Sequence, residues 1–239
     1  MAGIEEPARR MHVASSRIDL GDVSGRVLFP SPLQGPWLPF LRFAETTTIR
    51  GGDDPEGHTH FEEEALNYIV QGRIDYEDNV GHRSTLGPGM VELLTAREET
   101  RHMLKGLPGD SVTRWISLVA QLPRSLAGPS HRFQIAPAPS PIELGEAAAC
   151  RLLVGPEAPV KSDGGLAVTD LEFRREGPCA CPVGSERRAV AYVYDGSVTI
   201  DGQPVGLGDG MLVANVPQIS VRGTPGSRVM VASAPHRMT

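Results

Sequence analysis

In this chain of 239 residues the apolar side chains tend to recur at every second position, in short runs that glycine or proline cuts off. ALNYIV (65–70) stops at Gln71-Gly72, and RIDYED (73–78) alternates apolar with polar residues. A Gly87-Pro88-Gly89 turn precedes MVELL (90–94), and SVTRWISLVAQL (111–122) continues the pattern. A period of two puts successive side chains on opposite faces, so each run reads as a strand with a buried side, in a sandwich or barrel. Composition agrees. The 27 glycines and 21 prolines are too many for a helical bundle, and 40% hydrophobic residues suffice for a packed core. The expected fold class is all-β, with GEAAAC (145–150) as the best, and short, helical stretch.

The length admits one or two domains at roughly 150 residues each. Midway, residues 123–145 turn proline-rich and lose their apolar period, after which the strand pattern resumes. The halves echo each other. YIVQGRIDY from Tyr68 resembles YVYDGSVTI from Tyr192, a spacing of 124 residues, and LGPGMVELL faces GDGMLVANV at nearly the same spacing. The expected organisation is an N-terminal domain over 1–125, a connector over 126–144 and a C-terminal domain over 145–239. A net charge of −6 argues against binding nucleic acid phosphates. No apolar stretch approaches the ~20 residues needed to span a bilayer. The first residues lack a hydrophobic signal core, so a cytoplasmic location away from membranes is expected. Cys150, Cys179 and Cys181 cannot all pair within one chain; Cys179-x-Cys181 reads as reduced structural thiols, with metal binding as the alternative.

Chemistry concentrates in GDDPEGHTHFEEEALNYIVQG. His58 and His60 stand two apart, so on a strand both imidazoles leave one face and make half a transition-metal site. His102 lies past the next hairpin, where an antiparallel neighbour could bring it opposite them. Glu64 follows at a distance that suits a ligand, a hydrogen-bond partner of a ligand, or a solvent carboxylate. The run Glu62-Glu63-Glu64 also reads as a solvated strand edge. At the 124-residue spacing His58 falls on Pro182, His60 on Gly184 and Glu64 on Arg188, so the second half is expected to lack metal ligands.

Gly52, His58-x-His60, Glu64 and Gly72 together resemble the first cupin motif, and GPGMVELLTAREETRHMLKG resembles the second, with His102 as its histidine. More narrowly, the chain resembles the pirins, a bicupin family. Their H-P-H-R-G-F-E reads here as His58 through Glu64, followed by Tyr68 and Gly72. Gly81-His82-Arg83 with Pro88-Gly89 echoes a second pirin stretch, and Thr95-Ala96-Arg97 through His102 echoes a third. Trp115-Ile116-Ser117 with Leu122-Pro123-Arg124-Ser125 echoes, loosely, a fourth. The likeness runs clearly over residues 30–130.

The resemblance implies two cupin-type barrels and one divalent transition-metal ion on His58, His60 and His102. Iron is the first choice, with nickel, manganese, copper and zinc as alternatives. It implies a quercetinase-like dioxygenase acting on flavonols or other phenolic or enolic small molecules, with Glu64 taking the substrate proton. Two other readings stay open: a regulatory protein that docks on a transcription factor or metabolic enzyme, and a metal-dependent cyclase or isomerase. Three departures stand out. Leu104 replaces the pirin ligand glutamate two residues after the third histidine, and Glu62 replaces the glycine after H-x-H. Counting back from Gly72 puts the general cupin carboxylate at Ala65, while counting on from His60 puts it at Glu64. One residue reverses the face of a strand.

Overall fold

The computed structural model describes residues 8–32, 34–49, 51, 57–123 and 128–236. Every regular element among them is a strand. The first half contains β1 (Arg9–Val13), β2 (Ser16–Asp19), β3 (Val23–Phe29), β4 (Phe40–Ile49), β5 (His58–His60) and β6 (Glu63–Gln71). It continues with β7 (Ile74–Asp78), β8 (Arg83–Leu86), β9 (Met90–Ala96), β10 (Thr100–Gly106) and β11 (Val112–Gln121). Then come β12 (His131–Pro137), β13 (Ile142–Leu144), β14 (Ala148–Val154), β15 (Ala167–Phe173), β16 (Gly177–Pro182) and β17 (Arg187–Asp195). The chain closes with β18 (Val198–Ile200), β19 (Gln203–Val205), β20 (Gly210–Ala214), β21 (Gln218–Gly223) and β22 (Arg228–Pro235).

These strands build two barrels of the same plan. In the N-terminal barrel a seven-stranded sheet, β12-β9-β6-β11-β4-β3-β2, closes over a four-stranded sheet, β5-β10-β7-β8. The C-terminal barrel repeats the order as β1-β20-β17-β22-β15-β14-β13 over β16-β21-β18-β19. The two barrels exchange edge strands. β1 pairs with β20 of the C-terminal sheet, and β12 pairs with β9 of the N-terminal sheet. The expected N-terminal domain therefore contributes its first strand to its neighbour. The described part of the expected connector holds β12 and β13, with residues 128–130 and 138–141 outside a strand. HRFQI alternates as a strand should, and its flanking prolines are tolerated because β12 is an edge. GEAAAC is a turn running into β14 rather than a helix. Six residues cannot offset helix nucleation, and Ala148, Ala149 and Cys150 are buried in the sheet instead.

The two large sheets pack face to face through an apolar layer. Leu66, Tyr68 and Leu118 come from one side, and Tyr192, Leu212 and Met230 from the other. Two carboxylates buried at this seam are paired. The Asp170 carboxylate accepts from Tyr68 Oη at 3.1 Å and from Tyr194 Oη, and it pairs with Arg228 and Arg151. Glu45 pairs with Arg114 and accepts from Tyr192 Oη. Alternation along β6 follows from this packing. Leu66 and Tyr68 face the seam, while Ala65 and Ile69 face the inside of the N-terminal barrel.

Candidate metal centre

β5 and β10 are antiparallel neighbours, with His102 directly opposite His58 and Thr100 opposite His60. Gly57 makes this approach feasible. Its φ is +59°, and a Cβ there would lie 2.5 Å from the His102 carbonyl oxygen. The three rings meet edge to face, with centroids 4.5 to 4.9 Å apart. His102 Nε2 stands 3.1 Å from His60 Nε2 and 3.0 Å from His58 Nε2. Two nitrogens each about 2.1 Å from one ion, at a right angle, would be about 3.0 Å apart. His60 and His102 are buried, and His58 is half-buried.

The electrostatics suit neutral ligands. Glu63 Oε2 lies 2.7 Å from His60 Nδ1, so the Nδ1–H donates to the carboxylate and the Nε2 lone pair faces the other two rings. Burial, and next the nearby His58 and His60 rings, push the His102 pKa down to about 3. Among the described residues, His102 Nδ1 is buried with no hydrogen-bond partner. Whichever nitrogen carries the His102 proton, one contact in the cluster is left short of a proton or of an acceptor. A cation between the three Nε2 atoms would resolve this, so the residues fit a bound divalent metal.

The histidines sit in the wall of a cavity of about 540 Å³ inside the N-terminal barrel. Apolar walls come from Val27, Ala44, Leu104, Trp115 and Val119, and Asn67 and Ser117 supply polar groups. Asn67 is fixed from both sides: it accepts from Ser117 Oγ at 2.6 Å and donates to Glu92 Oε2 at 2.7 Å. Among the described residues, Arg42 supplies the cavity lining with its one arginine or lysine side chain.

The family model for pirin matches residues 39–106, the stretch that carries all three histidines. Quercetin 2,3-dioxygenase of Escherichia coli O157:H7 is 23% identical over 201 residues, covering 82% of this chain and 82% of that protein. A pirin-like protein of Caulobacter vibrioides is 26% identical over 191 residues, 73% of this chain and 66% of that one. In fold, the chain matches the crystal structure of YhhW from E. coli with a TM-score of 0.81 at 16% identity, over 96% of this chain and 99% of that one. YhhW has also been solved as a bacterial pirin in complex with nickel(II), which this chain matches with a TM-score of 0.78 at 16% identity, over 96% of this chain and 100% of that one. The chain thus shares the two-barrel fold of these bacterial pirin structures and matches the pirin family model over the stretch with the three histidines.

The carboxylates near the histidines do not all sit where the sequence spacing puts them. Glu64, expected to take a substrate proton, points into the seam between the barrels with Leu66 and Tyr68. Its oxygens accept from Ser162 Oγ at 2.5 Å and from the Asp163 backbone N–H at 2.7 Å. Burial raises its pKa, with the bonds from Ser162 and Asp163 opposing that rise. The role expected of Glu64 therefore has no geometric basis: strand parity turns it away from the histidines. The inward position is Ala65, as the count from Gly72 gives, and Ala65 lines the cavity. Leu104 also lines it, on the same face of β10 as His102. The acidic run is no solvated edge either, since β6 is the third of seven strands and only Glu62 and Glu63 retain access to solvent.

The carboxylate that sequence reasoning left unassigned is Glu63. The signal for it was available: it lies three residues after His60, across the tight turn at Phe61-Glu62. Gly52 of the cupin motif and Arg124-Ser125 of the loose pirin echo lie outside the described residues.

In the C-terminal barrel the strand pairing moves the frame expected from the 124-residue spacing by one. Cys181 pairs with Ile219 where His58 pairs with His102, so the equivalents of His58, His60 and His102 are Cys181, Val183 and Ile219. All three are buried in a packed apolar core with Cys150 and Cys179. Burial pushes the Cys179 thiol up to about 11 and Cys181 up to about 12, which keeps both protonated.

Proposed function

We propose that this protein is a metal-dependent oxygenase whose N-terminal barrel binds a phenolic or enolic small molecule beside one divalent transition-metal ion, with flavonols of the quercetin type as the first candidates. The observation that carries the proposal is the convergence of three histidine Nε2 atoms on the wall of a deep, mostly apolar cavity. A docking protein would not need a cavity reaching the histidines. His58, His60 and His102 would hold the ion, with iron as the first choice and nickel next. A bound divalent ion would supply Lewis acidity that lowers the pKa of an enol or phenol hydroxyl.

The chain's own residues do the rest. Glu63 fixes the tautomer and aim of His60. Trp115, Leu104 and Val119 offer an apolar bed for an aromatic ring, and Asn67, held by Ser117 and Glu92, presents a rigid amide. Arg42 supplies a positive charge that favours an ionised phenolate. With Ala65 and Leu104 at the two family positions for a carboxylate, a bound ion would keep its full divalent charge.

The test is elemental analysis of the purified protein and of His60→Ala, together with oxygen uptake on quercetin after loading with iron or nickel. The proposal expects about one ion per chain at this site, lost in the variant, and oxygen consumption that depends on both metal and substrate. Turnover of an enolic substrate without oxygen would instead support a cyclase or isomerase. No metal at the three histidines, and no turnover on any phenol or enol, would overturn the reading.

A further inference from the structure

A second group of ligating atoms lies in the N-terminal barrel, and the three-histidine site does not use it. Asp78 closes β7, and its Oδ1 accepts the backbone N–H groups of Val80, Gly81 and His82 at 3.0, 2.9 and 2.9 Å. That turn brings His82 Nδ1 to 3.0 Å from Asp78 Oδ2. His131, the first residue of β12, places its Nε2 3.2 Å from His82 Nδ1 and 3.5 Å from Asp78 Oδ2. Tyr76 Oη donates to the same Oδ2 at 3.1 Å.

The proton positions follow from hydrogen bonding. The Thr100 hydroxyl donates to the Glu98 carbonyl at 3.2 Å, so its lone pair faces His131 Nδ1 at 3.3 Å, and that nitrogen must carry the proton. His131 Nε2 is then a bare lone pair. It meets a second ring nitrogen and a carboxylate oxygen; Tyr76 donates to that oxygen from outside the group, and within the group of three only His82 Nδ1 can carry a proton. Ligand atoms about 2.1 Å from one ion stand about 3.0 to 3.4 Å apart for octahedral to tetrahedral angles. The separations here, 3.0, 3.2 and 3.5 Å, match that span closely.

We propose that Asp78, His82 and His131 form a second divalent transition-metal site, separate from His58, His60 and His102, that ties the β7–β8 hairpin to β12. Two imidazoles and one carboxylate on one side of an ion are the donor set of open, non-haem iron sites, and zinc, cobalt and nickel also accept it. The Asp78 side chain is fully buried, His131 is 11% exposed and His82 39% exposed. An ion can therefore enter past His82 and keep water on its open positions. Asp78 also lies directly across from His102 in the β7–β10 pairing, so the two sites are neighbours on one barrel wall.

The test uses Co²⁺ alone, added to metal-stripped full-length protein and read by calorimetric stoichiometry and by visible ligand-field absorption. The wild type is expected to bind two ions. His131→Gln and His82→Gln should each abolish one, weakening that step at least 100-fold, and His60→Gln should abolish the other. The His60→Gln/His131→Gln double variant should bind none. Co²⁺ should raise the melting temperature of His60→Gln but not of the double variant. His82 is partly exposed and its substitution leaves the Asp78 turn intact, which guards against misfolding as an explanation. If His82→Gln and His131→Gln bind as many ions as the wild type, the site does not exist. One ion that survives His60→Gln and is lost in His131→Gln would uphold this site while sinking the three-histidine reading.

Discussion

Glu92 lies on the inward face of β9, fully buried, with Oε2 accepting from Asn67 and Oε1 without a partner among the described residues. Burial, opposed by the Asn67 bond and aided by the charge on Asp78, pushes its pKa up from 4.5 to about 8. The folded protein thus keeps Glu92 neutral at pH 7, while the unfolded chain ionises it above pH 4.5. The unfolded state binds fewer protons between these values, so stability falls as pH rises through the window. The full contribution is present below pH 4.5 and is lost by about pH 8. Each pH unit inside the window costs up to about 1.4 kcal/mol, so the loss between pH 5 and pH 8 comes to about 3.5 kcal/mol. Glu92→Gln keeps the acceptor for Asn67 and removes the titration. Urea denaturation at pH 5 and pH 8 isolates the effect, because the histidines titrate alike in both proteins. Relative to Glu92→Gln, the wild type should lose about 3 to 4 kcal/mol between the two pH values. In melting temperature that is about 6–16 °C for a protein of this size. A difference between variant and wild type that does not change with pH would refute a neutral Glu92.

Strand parity makes two opposite predictions for adjacent residues. Ala65→Glu should add an inward carboxylate and tighten metal binding about 10–100-fold in a competition titration, whereas Glu64→Gln should leave metal affinity unchanged and cost about 1–3 kcal/mol through the seam bonds to Ser162 and Asp163. Glu63→Gln should weaken metal binding about 10–100-fold by releasing His60, with the fold intact by circular dichroism. Glu62 holds a left-handed φ of +55°, which disfavours a side chain. Glu62→Gly should therefore stabilise the protein by about 0.5–1 kcal/mol in thermal melts.

The residues that were legible in the sequence are those whose role is set by local spacing. His58-x-His60 places two rings on one face at any register, and alternation in ALNYIV and MVELL forces strands wherever they pair. What depended on distant contacts could not be read. β12 hides among prolines, and its partner β9 alone makes it a strand. β1 belongs to the sheet of the other barrel, a pairing 200 residues apart in the chain. The choice between Glu64 and Ala65 needed the absolute face of β6, which is set by the seam that Leu66 and Tyr68 fill. His82 and His131 lie 49 residues apart and meet because β12 returns to the N-terminal sheet.

The seam also explains how one barrel can hold a cavity where its twin packs apolar side chains at the equivalent positions. Both seven-stranded sheets give one face to the shared layer, so that layer stabilises both barrels whatever their interiors contain. At about 25 cal/mol per Å² of buried apolar surface, side chains such as Tyr68, Leu118, Tyr192 and Met230 contribute about 1.5–3 kcal/mol each. The C-terminal barrel adds a full interior of its own, with Cys181, Val183 and Ile219 at the ligand positions. The N-terminal barrel gives up that packing around the cavity, and it carries a buried neutral acid and an unpartnered His102 nitrogen there. Docking against a solid twin offsets this loss. Weakening the seam should therefore unfold the cavity-bearing barrel first. In Asp170→Asn, hydrogen exchange should quicken in β6 and β11 before it does in β17 and β22, and equal acceleration in both sheets would contradict the argument.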